Sequence, residues 1–254
     1  MLPIRDLNPS RRTALINWSL VAVTAAIFFF VQSTATDVFQ PDEEFLYQSA
    51  AIPCEVTTGE PLSLAEIRDG QCQRGDGDSV FPDKNIWFAI LASIFFHGSV
   101  GHLLANMWVL IIFGNNIEDA FGHVNYLIFY VMAGLVAAAA HIFIHGDSTI
   151  PVVGASGAIA GVMGAYAVLY PRATVMSIVP PFFFWPFSLP AILFLGLWFV
   201  SQFFLAGEST NIAWEAHVGG FLFGIVVSLV LRRPLLHHST RDPAYHPAGR
   251  LARY

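Results

Sequence analysis

Six long apolar segments constrain the fold of this chain more than any other feature of its sequence. Each holds roughly the 17–25 residues that a helix needs to cross a bilayer. They are Ala14–Val31, Gly101–Ile117, Tyr126–Ile144, Pro151–Tyr170, Leu189–Ala206 and Ile212–Leu231. Only 12% of the 254 residues are charged, against about 25% in soluble domains. Because backbone polar groups in lipid must bond within their own segment, the sequence predicts an all-α, polytopic membrane protein with six transmembrane helices.

The basic residues fall mostly on one side of this six-span arrangement. Nine of the twelve lie before the first span, after the fourth or after the sixth, and the other three share one long loop with eleven acidic residues. Basic residues concentrate on the cytoplasmic side of a membrane. We therefore expect a cytoplasmic segment 1–13, a membrane domain 14–231 with an external loop insertion 32–85, and a cytoplasmic, disordered tail 232–254. The expected location is the plasma membrane.

The loop insertion and two other segments are expected to lie outside the bilayer core. Both cysteines, Cys54 and Cys72, fall in the insertion, where an oxidising compartment permits a disulfide. Two free thiols remain the alternative, because sequence does not fix their separation. A short helix is expected around Leu62–Arg68. The apolar run Ile86–Phe96 is too short to cross, and Val179–Pro190 is interpreted as a connection along the membrane surface.

Four polar side chains lie near the outer ends of three spans that run in the same direction. His102 and Asn106 open the second span, Ser156 opens the fourth and His217 opens the sixth. At 1.5 Å per helical residue, all four lie within about two turns of the outer surface. Ionisable side chains are costly inside a membrane and are a functional-site hypothesis by default.

The spacing of small residues predicts that the fourth and sixth helices pack closely beside Ser156 and His217. Small residues on a helical face let transmembrane backbones approach each other. A serine hydroxyl beside a neutral imidazole forms a nucleophile and its base. Glu215 points about 160° away from His217 around the helix, so the prediction is a dyad without a carboxylate. The small residues are Gly157, Ala160, Gly161, Gly164, Ala165, Gly220 and Gly224.

Acyl transfer also requires hydrogen-bond donors for the oxyanion, each worth roughly 3–4 kcal/mol. His102 and Asn106 lie one turn apart on one helical face and offer an imidazole N–H and a carboxamide N–H. The backbone N–H of Ser156, at the start of a helix, supplies a third donor with a favourable dipole. Gly157 and Ala155 leave the approach to these donors open.

These motifs resemble the rhomboid family of intramembrane serine proteases. The resemblance is carried by Gly154-Ala155-Ser156-Gly157, by His217 followed by Gly220 and Gly224, and by the stretch Phe96–Met107. It extends from about Trp87 to Leu231 and implies a six-helix bundle that cleaves transmembrane substrates near the outer face, without a cofactor or metal.

The resemblance also implies a role for each matching residue. Ser156 corresponds to the nucleophile and His217 to the general base. His102 and Asn106 correspond to oxyanion donors, and His97 to a structural position. The implied partners are transmembrane protein substrates and membrane lipids. The sequence has no nucleic-acid signature, and its oligomeric state stays open.

Three positions depart from the family pattern. Trp87 is followed by Phe88 where members often have arginine, and Glu118-Asp119-Ala120 lacks the arginine of the Glu-x-Arg motif. Ala160 occupies a position where many members carry an aromatic residue that stacks on the base histidine. These departures leave room for an alternative, an inactive family member that binds membrane clients without cutting them.

Other polar residues have simpler interpretations. His141 and His145 close the third span as rival bases, but no small-residue face leads from them to Ser156, so they are expected to be interfacial. Glu118 is expected to cap or pair locally. The tail pair His237 and His238 suggests metal binding, although a solvated tail is the favoured interpretation.

Overall fold

The computed structural model describes residues 2–32, 42–73, 77–178, 186–204 and 213–240, with side chains to residue 235 in the last segment. Its strands are β1 (Leu2–Asp6), β2 (Thr174–Ile178) and β3 (Phe187–Pro190). Its first helices are α1 (Leu15–Ile27, continued by a π-helical turn over Phe28–Gln32), α2 (Glu43–Ser49), α3 (Pro53–Thr58), α4 (Leu64–Asp69) and α5 (Ile86–Ala92). The remaining helices are α6 (Val100–Phe121), α7 (His123–Ile144), α8 (Ser156–Leu169), α9 (Ala191–Phe204) and α10 (Trp214–Thr240).

Six apolar helices form the predicted polytopic bundle. Four described stretches are long and apolar enough to cross a membrane, namely Leu15–Gln32, α6, α7 and the part of α10 up to Leu235. α8 and α9 are apolar but hold only 14 residues each. The short helix α5 matches the segment that was expected to be too short to cross. The chain is a multi-pass membrane protein.

The predicted bounds of the fourth and fifth spans are wrong. Residues 151–155 precede α8 without helical structure, because Val152 pairs with Ala51 in an isolated bridge and Gly154 has a φ of +131°. The predicted fifth span, Leu189–Ala206, begins inside β3, and its last two residues lie outside the described ranges. Apolar composition therefore identified the membrane region, whereas local backbone pairing set where each helix begins.

A three-stranded antiparallel sheet, in the order β1-β2-β3, lies against the bundle. This sheet was not predicted from the sequence, because residues 1–13 were expected to be a cytoplasmic segment and Val179–Pro190 a connection along the membrane surface, of which 179–185 lie outside the described residues. Strands of four or five residues carry little periodic signal. Trp108 Nε1 donates a hydrogen bond to the Pro3 carbonyl at 2.7 Å, and the Tyr166 hydroxyl donates to Asp6 at 2.6 Å. These bonds attach β1 to α6 and α8.

Glu118 takes the local pairing role that was expected, and it also caps a helix that is distant in the sequence. Its carboxylate accepts hydrogen bonds from the backbone N–H groups of Ile16, at 2.9 Å, and Asn17, at 2.7 Å. Those groups belong to the first turn of α1, whose own N-cap residue supplies no side-chain bond. His123 also pairs with this carboxylate. Glu118 therefore joins the end of α6 to the start of α1.

The loop insertion folds into three short helices, α2, α3 and α4. Ser63 and Glu66 form a capping box at the start of α4, within the segment where a short helix was predicted. Cys54 and Cys72 form a disulfide with their Cα atoms 5.8 Å apart, so the paired alternative is the one adopted. Lys84 Nζ lies 2.6 Å from Glu55 Oε2, and both side chains are almost fully buried.

The last helix continues beyond its predicted end. The sixth span was expected to stop at Leu231 before a disordered tail, but α10 extends to Thr240 with Pro234 inside it. Leu235 is 8% exposed and packs with the core cluster of the bundle. Burial of this side chain gives a reason for the helix to continue. Residues 241–254 of the predicted tail lie outside the described ranges.

Candidate active site

α8 and α10 meet along a seam of glycine contacts, as the small-residue spacing predicted. A Cβ atom added to Gly220 would lie 2.0 Å from the carbonyl oxygen of Gly157, and one added to Gly224 would lie 2.0 Å from that of Gly161. Gly157 and Gly161 are four residues apart on α8, and their contact partners Gly220 and Gly224 are four residues apart in the same order on α10. The two helices therefore run in the same direction with their backbones in contact.

The seam brings Ser156 and His217 together at one end of the bundle. Ser156 is the first residue of α8, and His217 is the fourth residue of α10. The Oγ atom of Ser156 lies 2.8 Å from Nε2 of His217. Both residues are partly buried. This distance lies within the range expected for a nucleophile and its base.

Gln202 contacts the other ring nitrogen of His217, a role that the sequence analysis did not predict. Its Oε1 atom lies 2.7 Å from Nδ1, and the side chain is 2% exposed. Its Nε2 group donates to the carbonyl of Trp198 at 3.1 Å, which assigns the oxygen to the histidine side. His217 therefore carries its proton on Nδ1 and presents a lone pair on Nε2 to Ser156. The polar amide within an apolar helix was the signal that could have identified Gln202.

Trp198 supplies an aromatic contact to His217 from α9. The two ring centroids lie 5.8 Å apart, with their planes tilted by 40°. Ala160 stands where an aromatic residue is common, and the contact from Trp198 was not predicted from the sequence. Trp198 also contacts Phe221, whose ring lies at 5.9 Å. The aromatic support for the histidine thus comes from a neighbouring helix rather than from α8.

His102 lies beside the loop that leads into Ser156. A Cβ added to Gly154 would lie 2.9 Å from Cε1 and 3.0 Å from Nε2 of the His102 ring, and 3.6 Å from Ser156 Oγ. Gly154 therefore needs glycine for space as well as for its positive φ. The Gly98 N–H donates a long bond of 3.4 Å to Nδ1 of His102. That contact leaves the proton of a neutral His102 ring on Nε2, the nitrogen that faces Gly154.

Asn106 lies one turn further along the same face of α6. It is 7% exposed. Within the part of the chain that the structure describes, no acceptor lies within hydrogen-bond distance of its buried Nδ2 group. A buried amide donor without a partner costs about 1–3 kcal/mol. The Nδ2 group therefore has no bond within the described residues that would compete with a bond to a ligand.

His97 is held by backbone contacts rather than joined to the Ser156–His217 pair. Its side chain is fully buried, and its backbone N–H and C=O both bond the amide of Gln32 at 3.1 Å. The ring centroid lies 5.0 Å from that of His102. His97 thus packs behind His102 at the start of α6.

The rival bases His141 and His145 do not contact Ser156. Both pair with Glu215, at 3.2 Å and 2.6 Å respectively. Glu215 lies two residues before His217 but points toward α7, as the helical geometry predicted. The acidic residue nearest to the site in sequence therefore takes no part in the Ser156–His217 pair.

An apolar groove opens between α6 and α9 on the bundle surface. It has a volume of about 390 Å³ and is lined by Leu104 and Trp108 of α6 and by Phe194 and Trp198 of α9, among others. Leu104 is 62% exposed and lies between His102 and Asn106 in the sequence. Trp198 links the groove to His217.

The sequence profile of the Rhomboid domain matches residues 84–234. The chain belongs to the rhomboid family. The matched region begins just before α5 and includes α6 to α9, the glycine seam and every residue of the Ser156–His217 site described above. Most of the loop insertion and all of α1 precede it.

Similar rhomboid proteins occur in plants, yeast and bacteria. RHOMBOID-like protein 5 of Arabidopsis thaliana is 29% identical over 161 residues, which cover 63% of this chain and 48% of that protein. The mitochondrial Rhomboid protein 1 of Saccharomyces cerevisiae is 27% identical over 64% of this chain and 46% of its own length. Rhomboid protease GluP of Bacillus subtilis is 27% identical over 58% of this chain and 27% of its own length. The chain thus spans less than half the length of these relatives.

Proposed function

We propose that this rhomboid is an intramembrane serine endopeptidase with a Ser156–His217 dyad. The observation that carries the proposal is the 2.8 Å contact between Ser156 Oγ and His217 Nε2. The bond between His217 Nδ1 and Gln202 supports it, because it selects the tautomer in which Nε2 accepts a proton. The name of the Bacillus subtilis relative, a rhomboid protease, agrees with this chemistry.

In the proposed first step, Ser156 Oγ attacks the carbonyl carbon of a substrate peptide bond. His217 Nε2 takes the hydroxyl proton as the Oγ–C bond forms. It then gives that proton to the departing amine as the C–N bond breaks, and this leaves an acyl-enzyme. In the second step, water attacks the acyl carbon, its proton passes through His217, and Ser156 is released together with a new carboxyl terminus.

The developing oxyanion requires donors that are in place before the reaction. The unpartnered Nδ2 group of Asn106 and the Nε2–H of His102 are proposed as two of them. The backbone N–H of Ser156, at the first position of α8, is proposed as the third, aided by the helix dipole. Gly154 and Gly157 are proposed to keep the approach open, and His97 to support His102 from behind.

The proposed substrates are transmembrane proteins, which are cut near the extracytoplasmic face of the membrane. The substrate is proposed to enter sideways along the apolar groove between α6 and α9, whose lining residue Trp198 contacts His217. The disulfide in the insertion requires an oxidising compartment. The insertion also lies at the Ser156 end, since Ala51 pairs with Val152. Together with the distribution of basic residues, this supports a plasma-membrane protein with both termini in the cytoplasm.

Cleavage of a membrane-anchored reporter tests the proposal directly. We expect Ser156→Ala and His217→Ala each to lower cleavage by a factor of about 10⁴ or more, because a nucleophile and its base act as a unit. Ser19→Ala is the matched control, since the Ser19 hydroxyl bonds its own helix at the carbonyl of Leu15. Full activity in Ser156→Ala would eliminate the mechanism.

Labelling with a fluorophosphonate separates the protease from an inactive client-binding rhomboid. The wild type is expected to become labelled at Ser156, and His217→Ala is expected to lose the label because the hydroxyl is no longer activated. A client-binding protein would remain unlabelled while retaining its partners. Absence of labelling in folded wild-type protein would therefore favour client binding.

Gln202 is proposed as a positioning residue for His217. Gln202→Leu is expected to lower kcat about 10- to 100-fold, less than loss of the base itself, since general acid–base catalysis contributes about 10²–10⁴-fold. Gln202→Glu is expected to retain activity with the acid limb of its pH–rate profile moved to higher pH, because a carboxylate favours the protonated imidazole. An unchanged profile in Gln202→Glu would limit Gln202 to a packing role.

A further inference from the structure

A second cluster of titratable side chains lies at the Ser156 end of the bundle, between α7 and α10. His141 occupies the last turn of α7, and His145 follows directly after that helix. Glu215 lies in the first turn of α10. One carboxylate oxygen of Glu215 is 3.2 Å from His141 Nδ1, and the other is 2.6 Å from His145 Nε2. The Ser156–His217 site uses none of these three groups.

We propose that His141, His145 and Glu215 bind a divalent transition metal ion, with zinc as the best fit. One nitrogen from each ring and one carboxylate oxygen all lie within 4.8 Å of one another. Around one tetrahedral ion with bonds of about 2.0–2.2 Å, ligand atoms lie roughly 3.4 Å apart, so binding requires only small shifts of these side chains, outward for His145 Nε2 and inward for the widest pair. The two imidazole rings lie side by side, with their centroids 5.1 Å apart, and two histidines with a glutamate form a known zinc ligand set.

Burial and exposure at the cluster also suit a metal site. The Glu215 side chain is 3% exposed, whereas that of His145 is 45% exposed. The buried carboxylate provides a fixed negative charge, and the exposed ring provides a path for the ion and a position for water as a fourth ligand. His141, at 13% exposure, lies between these extremes.

Two other groups of side chains within the described ranges do not offer three available metal ligands. Cys54, Glu66 and Cys72 lie equally close together, but both sulfurs belong to the disulfide and offer no thiolate. His123 pairs with Glu118 in a set that is not completed by a third ligand among the described residues. The His141–His145–Glu215 cluster is thus the described grouping with three available ligands.

Metal binding at this cluster would join the end of α7 to the start of α10. These helices already touch there, since a Cβ added to Gly219 would lie 2.6 Å from the Cβ of Ala140. Glu215 lies two residues before His217, so an ion on Glu215 would restrain the turn of α10 that carries His217. The expected consequence is a more stable bundle when the metal is bound. Binding itself does not depend on the proposed proteolysis.

The experiment uses the full chain, purified in detergent without a polyhistidine tag and stripped with a chelator. Titration with Zn²⁺, followed by calorimetry and thermal denaturation, is expected to show one ion per chain and a rise in Tm. His145→Ala and Glu215→Gln should each weaken binding by at least tenfold, because even an outer-shell change costs 10- to 100-fold. The partly exposed position of His145 makes that variant the better folded of the two.

Two control variants locate the ion. His123→Ala removes a histidine that also pairs with a glutamate, and it should bind Zn²⁺ as the wild type does. The double variant His237→Ala/His238→Ala removes the histidine pair near the end of α10 and should likewise bind normally. Unchanged affinity in a folded His145→Ala variant, or loss of the ion in the His237→Ala/His238→Ala variant, would overturn the proposal.

Discussion

The α8–α10 seam and the loop insertion lie on either side of the Ser156 loop and are stabilised by different means. In the seam, the backbones of Gly157 and Gly220 are in contact. In the insertion, a disulfide joins Cys54 to Cys72, and a buried ion pair joins Glu55 to Lys84. Close backbone packing stabilises the seam, whereas a covalent bond and an ion pair stabilise the insertion.

The difference follows from the solvent that each region meets. Lipid tails are as apolar as leucine, so helices in a membrane associate through close packing rather than through the hydrophobic effect. A short segment in water cannot bury enough apolar surface on its own and is commonly cross-linked in oxidising compartments. The seam should therefore be destabilised by larger side chains at its glycines. The insertion should be destabilised by loss of a charge from its ion pair or by reduction of its disulfide.

The largest expected effect is that of Gly220→Ala. The added Cβ would lie 2.0 Å from a backbone carbonyl that cannot rotate away, so α8 and α10 must separate. We expect the unfolding free energy to fall by about 4 kcal/mol or more, which exceeds the usual cost of about 1–3 kcal/mol for overpacking. We also expect reporter cleavage to be lost. Gly196→Ala on α9 is the control, because its Cβ would meet no atom within 4 Å. Equal thermal stability of the two variants would contradict the role of the seam.

Lys84→Met in the insertion is expected to cause the second-largest loss of stability. Burial raises the pKa of Glu55 and lowers that of Lys84, so each charge depends on its partner. Removal of the lysine leaves a buried carboxylate unpaired and should cost about 3 kcal/mol. Denaturation monitored by proteolysis of the insertion measures this loss of stability. The double variant Glu55→Gln/Lys84→Met should recover most of the loss, since the amide oxygen can still accept from Leu62 N–H; no recovery would argue against a charge effect.

Reduction of the disulfide should have a smaller effect. Cys54 and Cys72 are 18 residues apart, and closing a loop of this size stabilises a fold by about 2–3 kcal/mol. Cys54→Ser/Cys72→Ser should increase hydrogen exchange in α3 and α4 while exchange in α8 stays slow. Faster exchange in α8 as well would show that the two regions are energetically coupled.

The smallest expected effect is that of acid on Glu66 in the insertion. Burial raises the pKa of Glu66, but hydrogen bonds from Ser63 and Gln73 outweigh it and hold the pKa below its ordinary value. The resulting stability is present above the unfolded pKa and is lost as pH falls through the folded one. The loss should be about 1 kcal/mol, typical of a helix cap. Hydrogen exchange of α4 between pH 5 and pH 3 measures it, and Glu66→Gln should show no such dependence.

Prediction from sequence succeeded where the determining signal was local. The apolar segments predicted the bundle, and the spacing from Ser156 to Gly164 and from His217 to Gly224 predicted the seam, because helical periodicity alone determines which residues share a face. Prediction failed for β1, which pairs with β2 some 170 positions away. Leu2 opposite Ile178 and Asp6 opposite Val175 illustrate this separation.

The sequence by itself determined that this chain crosses a membrane with a hydroxyl and an imidazole at one depth, because apolar length and helical spacing are properties of single segments. Only the tertiary structure decided how His217 is oriented, by Gln202 and Trp198 of α9, and how Glu215 joins His141 and His145. Those contacts depend on the rotation and tilt of neighbouring helices. Side-chain packing between helices sets both, and no single segment encodes it.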